Sequence, residues 1–377
     1  MPWGLARSLS VAEVAIHFGK KEIPAFYVVS RFGTKNKGGV ERVADLLVRN
    51  LRAQGVSVEM VDEARVLPSF LRNSRFAQFL FPLCASLFLW RSRWSHAGVQ
   101  VISNGAFAAF YPADVVIMHG SAQGYVAAMQ GKTGRMYGMR IMGRMEVQAM
   151  RRARKVICVS DDLLDYVVGQ QGIEASKCRV AYNGVVVSDG PLVPRFQGPV
   201  TRLGFAGRLE YGKGVDYLLA LARQMAGRND VRLVIAAIGE VPGILENHPQ
   251  VEVMRGLAAD DMPQFYAKVD IFILPTLFEG FELVTLEALA AGVPVLGRPL
   301  GACGLLLRRQ VPWVGRLPDN AATLLACLPQ LVQEFHASQD GQAMREYVRV
   351  NFSISEFCGN VLAALGVQAS CKSPSSR

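Results

Sequence analysis

Short apolar segments rich in β-branched residues, each followed by a stretch with helical spacing, run through this chain in two successive series. That rhythm restricts the fold more than any other feature. In the first series Ala25–Ser30 (AFYVVS) reads as a strand, Val40–Gln54 as a helix and Val56–Val61 as a second strand, with Val115–Met118, Val156–Val159 and Arg179–Tyr182 as further strands. The second series runs Arg202–Ala206, Val215–Met225, Arg232–Ala237, Val251–Met254, Met262–Ala267, Ile271–Leu274, Leu283–Ala291 and Val293–Leu296. A helix between strands carries the chain back to start the next strand in the same direction, so each series predicts a doubly wound parallel sheet. The stretch 185–200 (VVVSDGPLVPRFQGPV) is dense in proline and glycine and reads as the join. The expected organisation is therefore a first domain over residues 1–190, a second over 191–367 whose last helix packs back on the first, and a disordered tail at 368–377.

With 377 residues, 51% of them apolar and 19% charged, the chain has enough material for two cores and is no disordered protein. Its seven cysteines (84, 158, 178, 303, 327, 358 and 371) form no C-x-x-C pair, which indicates neither a disulfide framework nor a zinc site and suits a reducing cytoplasm. The N-terminal residues lack the unbroken apolar core of a signal peptide. The run Phe76–Trp90 (FAQFLFPLCASLFLW) is broken by Gln78 and Pro82 and falls short of the roughly twenty residues that span a bilayer. It reads first as a helix buried in a domain core. The other reading is an interfacial helix, since Trp90, Arg91, Arg93 and Trp94 close it.

The net charge of +10 is uneven: residues 1–195 hold 25 Lys+Arg against 14 Asp+Glu, or +11, and residues 196–377 hold 16 against 17, or −1. The first half thus expects an anionic partner, either a membrane surface or a phosphorylated acceptor. Its most basic stretch, Gly131–Lys155, has eight basic residues and the single acid Glu146, and reads as a docking surface or a solvated helix face. No helix-turn-helix, zinc-finger or RNA-binding signature surrounds it, so no nucleic acid is expected. A nicotinamide dehydrogenase is disfavoured by the lack of G-x-G-x-x-G after an early strand.

Two stretches carry chemistry. In IFILPTLFEGFELVTLEALAAGVPVL (Ile271–Leu296) a strand ends at Pro275, a loop carries Glu279 and Gly280, and a helix bears Glu287. Eight residues of continuous helix would set the two carboxylates about 12 Å apart, a span that suits one to a sugar and the other to a ribose with a diphosphate between. Backbone N–H groups near Leu283, Val284 and Thr285 would open the helix toward phosphate oxygens. In FAGRLEYGKGV (Phe205–Val215) a strand runs into a glycine-containing loop with Gly207, Arg208 and Lys213, a natural cradle for a diphosphate whose charge grows as it leaves.

Together these residues resemble glycosyltransferase family 4. The E-x7-E signature is matched by Glu279 and Glu287, the A-x-G-x-P-V turn by Ala290–Val295, and G-R-x-x-x-x-K-G by Gly207-Arg208 and Lys213-Gly214. In the first half, G-G-V-E-R near Gly38–Arg42, D-V-V-I-M-H-G at Asp114–Gly120, V-S-D at Val159–Asp161 and N-G-V at Asn183–Val185 follow in the family's order. The resemblance implies the GT-B fold, two Rossmann-like domains facing a cleft, and a retaining, metal-independent hexosyltransferase. Arg208 and Lys213 would bind the donor diphosphate, Glu287 the ribose, and Glu279 the transferred sugar. His119 would lie near that sugar, Gly38-Gly39 would approach the donor phosphates and the acceptor, and Gly207, Leu283 and Val284 would complete the donor site. No cofactor is implied beyond a UDP-sugar as co-substrate. The acceptor would be a glycan or lipid-linked glycan in lipopolysaccharide core or surface polysaccharide synthesis, met in the cytoplasm or at the inner face of the membrane. The chain also lacks a D-x-D triplet. A sugar-nucleotide epimerase of the same fold and a non-catalytic nucleotide-sugar-binding partner are the alternatives. Three positions depart from the family: Glu282 puts a carboxylate near the expected phosphates, Gly301-Ala302-Cys303-Gly304 lacks an acid, and Gly239-Glu240-Val241-Pro242 is one glycine short.

Overall fold

The computed structural model describes residues 24–33, 38–72, 74, 76–95, 98–129 and 136–367. The expected tail, the N-terminal segment and residues 131–135 of the basic stretch lie outside these. The chain divides into two compact units, one of residues 1–123, 137–184 and 354–377, the other of residues 124–136 and 185–353.

The first unit holds β1 (Phe26–Val29), β2 (Val58–Val61), β3 (Gln100–Asn104), β4 (Val115–Met118), β5 (Lys155–Cys158) and β6 (Cys178–Val180). They form one sheet in the order β2-β1-β3-β4-β5-β6, every pairing parallel. Helices cover both faces of such a sheet, which is why β1 (FYVV) and β4 (VVIM) are apolar at every position and buried throughout. The helix Gly39–Ala53 buries Val43, Ala44, Leu47, Val48 and Leu51. The last helix, Ile354–Ala364, packs beside it, with Asn50 Nδ2 3.4 Å from Ser355 Oγ. β3 (QVISN), polar at both ends, has no counterpart among the expected strands.

The Phe76–Trp90 run falls largely in the helix Ala77–Ser95, which the core buries along one side only. Ala77, Phe81, Ala85 and Leu89 are buried, whereas Leu83, Leu87, Trp90 and Trp94 face outward. One side of the helix suffices to cover its neighbours; on the other, Trp90 packs edge-to-face on Tyr111 with ring centroids 5.1 Å apart, while Leu87 and Trp94 stay largely exposed.

The second unit holds β7 (Thr201–Arg208), β8 (Val231–Ile238), β9 (Val251–Arg255), β10 (Ile271–Leu274), β11 (Val295–Gly297) and β12 (Val314–Arg316). Their order is β12-β11-β10-β7-β8-β9, again wholly parallel. Its core joins Leu203, Phe205, Leu218, Leu221, Ile235 and Ile273. The chain builds outward from β7 through β8 and β9, then returns to lay β10 on the other side of β7, with Ile271 opposite Leu203 and Phe272 opposite Gly204. Strand direction of growth reverses there, and ligands of open α/β sheets bind outside the carboxyl ends of strands at such a switch point. The 185–200 segment carries no regular helix. It is anchored by Arg195, whose guanidinium donates to the carbonyls of Tyr266, Val269 and Ala291 at 2.6–2.9 Å.

Candidate active site

Both chemistry-bearing stretches of the second half emerge at the β7/β10 switch point. β7 ends at Arg208, and a turn of 3-10 helix, Tyr211–Lys213, leads through Gly214 into the helix Val215–Met225. Gly214 sits at φ +81°, and a Cβ there would lie 2.3 Å from the carbonyl oxygen of Pro275, just past β10. No larger residue fits. The close approach brings Thr276 within reach: its hydroxyl donates to Gly212 O at 3.1 Å, and Leu277 N donates to the same oxygen at 2.9 Å. The two loops are thereby stitched together, and Lys213 Nζ meets Glu279 Oε1 at 2.5 Å. Thr276 Oγ1 lies 3.1 Å from the same carboxylate oxygen. The pair is largely enclosed, with side-chain exposures of 28% for Lys213 and 11% for Glu279.

Arg208 is placed differently. Its guanidinium pairs with Glu210 at 3.1 Å and is half exposed. The switch point therefore holds one cation already engaged with a carboxylate and a second at its rim.

Beyond Glu279 the helix Leu283–Ala290 begins, and no side chain caps its first turn. The amides of Leu283, Val284 and Thr285 thus present the positive end of the helix without a protein acceptor from a capping residue. Leu283 is buried and Val284 half-buried, so these two contribute backbone rather than side-chain chemistry. One turn on, Glu287 accepts from Tyr266 OH at 3.2 Å, and the same hydroxyl lies 3.3 Å from Val284 O. Tyr266 belongs to the short helix Met262–Ala267 and lies in no motif that would single it out.

Glu282 turns its carboxylate onto the protein. Its Oε1 accepts from Thr285 Oγ1 and Cys303 N, both at 2.8 Å, and its Oε2 from Ala302 N at 3.0 Å. The buried carboxylate thus caps the helix Gly301–Arg308. Gly301, at φ +54°, leaves room for it, since a Cβ there would lie 2.2 Å from Oε2. Burial, then the neighbouring charge of Glu279, push the Glu282 pKa up to about 7.

In the first unit, the switch point lies between β1 and β3. Gly38 and Gly39 open the helix Gly39–Ala53; Gly38 is extended at φ −179°, ψ −179°, a conformation open to any residue. Asn104, the last residue of β3, donates from Nδ2 to Val40 O at 3.0 Å, so its Oδ1 is the free acceptor. His119 follows β4 directly, and its Nε2 lies 2.6 Å from that Oδ1. Nε2 therefore carries the hydrogen, and Nδ1 keeps its lone pair, enclosed and without a hydrogen-bond partner among the described residues. Burial lowers the imidazole pKa to about 4, so the ring is neutral at pH 7. Asn104 links the glycine-led helix to His119. It escaped the sequence reading because the strand that carries it did.

Close by, Glu146 Oε2 accepts from Ala122 N at 2.9 Å, capping the helix Ala122–Met129. Burial raises its pKa to about 7. It is the only acid of the basic stretch, and it is turned inward.

Comparison with known proteins follows this division. The family model for Glycosyltransferase Family 4 matches residues 37–189, and that for Glycosyl transferases group 1 matches residues 200–326. An uncharacterized glycosyltransferase of Methanocaldococcus jannaschii is 23% identical over 239 residues, 58% of this chain and 60% of that protein. The chain spans 60% or less of the length of the first curated relatives it matches. Among solved structures, WaaG, a glycosyltransferase involved in lipopolysaccharide biosynthesis, superposes with a TM-score of 0.66 at 16% identity, over 90% of this chain and 98% of WaaG. HepE of Anabaena, in complex with UDP-glucose, gives 0.63 at 17% identity, over 90% and 98%. At such identities these likenesses show the fold, and the fold is GT-B.

Proposed function

The chain belongs to the family 4 glycosyltransferases, and on that premise we propose that it transfers a sugar from a UDP-sugar to a glycan or lipid-linked acceptor with retention of anomeric configuration. The observation that carries this reading is the Lys213–Glu279 pair at the β7/β10 switch point, one turn from a helix start that no side chain caps. A diphosphate placed at those amides meets the helix dipole and two cations, Lys213 and Arg208, whose charge offsets the leaving group as it departs. Glu287, held by Tyr266, is assigned to the ribose hydroxyls. Glu279 is assigned to the transferred sugar, with Gly207 at the phosphates. The bond from the anomeric carbon to the phosphate oxygen breaks, the acceptor oxygen bonds to that carbon on the same face, and the acceptor proton passes to the departing phosphate. No enzymic nucleophile and no metal take part.

His119 and the Gly38-Gly39 segment are assigned to the sugar and the acceptor. The neutral imidazole supports this, because it places no positive charge beside a cationic, oxocarbenium-like centre. The UDP-sugar is supported by the donor in the HepE complex, and a lipopolysaccharide or surface-polysaccharide acceptor by the likeness to WaaG and by the +11 charge of residues 1–195. The place of action in this reading is the cytoplasm, at the inner face of the membrane.

The test is a panel of UDP-, GDP- and ADP-sugars with and without acceptor extracts, followed by product analysis. Acceptor-dependent consumption of a UDP-sugar, an α-linkage from an α-donor, and turnover unchanged by EDTA support the reading. Free nucleotide released with an epimerised sugar and no acceptor requirement would make the chain an epimerase, and binding without turnover a non-catalytic partner.

A further inference from the structure

The helix Ala77–Ser95 has a second face that the fold leaves largely exposed. At about 100° per residue, Leu83, Leu87, Trp90 and Trp94 fall within an arc of roughly 60°. Trp94 is 90% exposed and Leu87 60%. Arg91 and Arg93, both exposed, flank this stripe at roughly 70–90° to either side of its centre. The helix contains no acid. Pro82 does not break it, and among the described residues no helix is long and apolar enough to cross a membrane.

The basic stretch meets this face. Phe110 O accepts from Trp90 Nε1 at 3.1 Å and from Arg152 Nη1 at 3.2 Å, so a tryptophan of the stripe and the arginine that ends the helix Met136–Arg152 share one carbonyl. Arg151 beside it is exposed as well. Phe79 lies 3.6 Å from where a Cβ on Gly138 would sit, so the two helices are neighbours near their other ends too. The one acid of the basic helix, Glu146, is turned inward onto Ala122. The resulting face is apolar along its centre, with exposed arginines beside its C-terminal half.

We propose that this face docks on an anionic lipid bilayer, the helix Ala77–Ser95 lying in the headgroup layer with its apolar stripe toward the acyl chains and Arg91, Arg93, Arg151 and Arg152 at the lipid phosphates. An apolar stripe running from Leu83 to Trp94 along a 19-residue helix suits in-plane insertion, tryptophan at its end suits the interfacial belt, and the flanking arginines set the preference for anionic lipid. A second copy of this chain would set like charges against each other along both edges, which disfavours self-association as the use of the face. The proposal deepens the transfer reading, since it puts the protein where a lipid-linked acceptor is presented, and it is tested apart from it.

The full chain is sedimented with vesicles of phosphatidylcholine alone or mixed with phosphatidylglycerol, while tryptophan emission is followed. Binding is expected to require the anionic lipid and to shift the emission to the blue. Leu87→Glu with Trp94→Glu should abolish it, and Arg91→Gln with Arg93→Gln should weaken it roughly fivefold per arginine. All these side chains are exposed, and thermal melting with and without UDP-glucose checks that each variant folds and binds donor as the parent does. Absence of binding to anionic vesicles, or binding that ignores the Leu87/Trp94 pair, overturns the proposal. So does a lipid-free dimer that Leu87→Glu with Trp94→Glu converts to monomer. Vesicle binding without sugar transfer upholds this face and overturns the transfer reading; transfer to a soluble acceptor without vesicle binding does the reverse.

Discussion

Replacing Lys213 by Met removes the cation from the switch point while keeping most of the side chain's bulk. Glu279 would then remain with Thr276 Oγ1 at 3.1 Å and with Glu282 as a second buried acid, which already feels its charge. Breaking a fully buried ion pair costs about 3–5 kcal/mol and an exposed one about 0–1. With exposures of 28% and 11% this pair lies between the two, so Lys213→Met should lower stability by about 2 kcal/mol. Glu279→Gln removes the stranded charge, and the double variant should recover most of that loss. The cycle should therefore give a coupling of about 1–2 kcal/mol. Urea unfolding measures it, followed by Trp313 emission in a Trp3→Phe, Trp90→Phe, Trp94→Phe background so that the second unit alone reports. Additive single substitutions, with a coupling below about 0.5 kcal/mol, would show that the pair does not hold the two loops together and would refute this account of the site.

Asn104→Asp should raise the His119 pKa above its value of about 4, because it sets an anion 2.6 Å from Nε2; an unchanged ring titration by NMR would contradict the assigned link. In the parent chain, His119 has a folded pKa below its unfolded value of 6.5. Its contribution to stability is therefore present above pH 6.5 and lost as pH falls toward about 4. Glu146 has the opposite sign: its pKa is raised to about 7, so its contribution is full below the unfolded value of 4.5 and lost as pH rises through 7. Glu146→Gln should accordingly spare the protein about 1 kcal/mol of the stability that the parent loses between pH 6 and 8, and parallel pH profiles would refute the buried charge.

Much of this architecture was legible in the sequence because parallel strands covered on both faces must be apolar at every position. β4 and β10 stand where VVIM and IFIL do, and the two glycine-led loops follow from the strands that end at them. β3 (QVISN) was hidden by its two polar ends, and with it went Asn104. The inward turn of Glu282 could not be read locally, since its partners are amides twenty and twenty-one residues further on. Nor could Tyr266, which reaches Glu287 across 21 positions through a phenol that carries no motif of its own. The helix Ala77–Ser95 misled for a different reason. An apolar run states how much of a helix avoids water but not which face the fold has room to cover, and its exposed stripe appears only once the neighbouring elements are in place.

The central claim, that the β7/β10 switch point holds a nucleotide diphosphate, is met most directly by calorimetric titration of UDP, GDP and ADP into the parent chain and into Glu287→Ala. The account predicts that UDP binds the parent. It also predicts that loss of the charge-assisted ribose contact weakens binding by about 1.5–3 kcal/mol, roughly ten- to 150-fold. A parent chain that binds none of the three, or a Glu287→Ala variant that binds UDP as tightly as the parent, would contradict it.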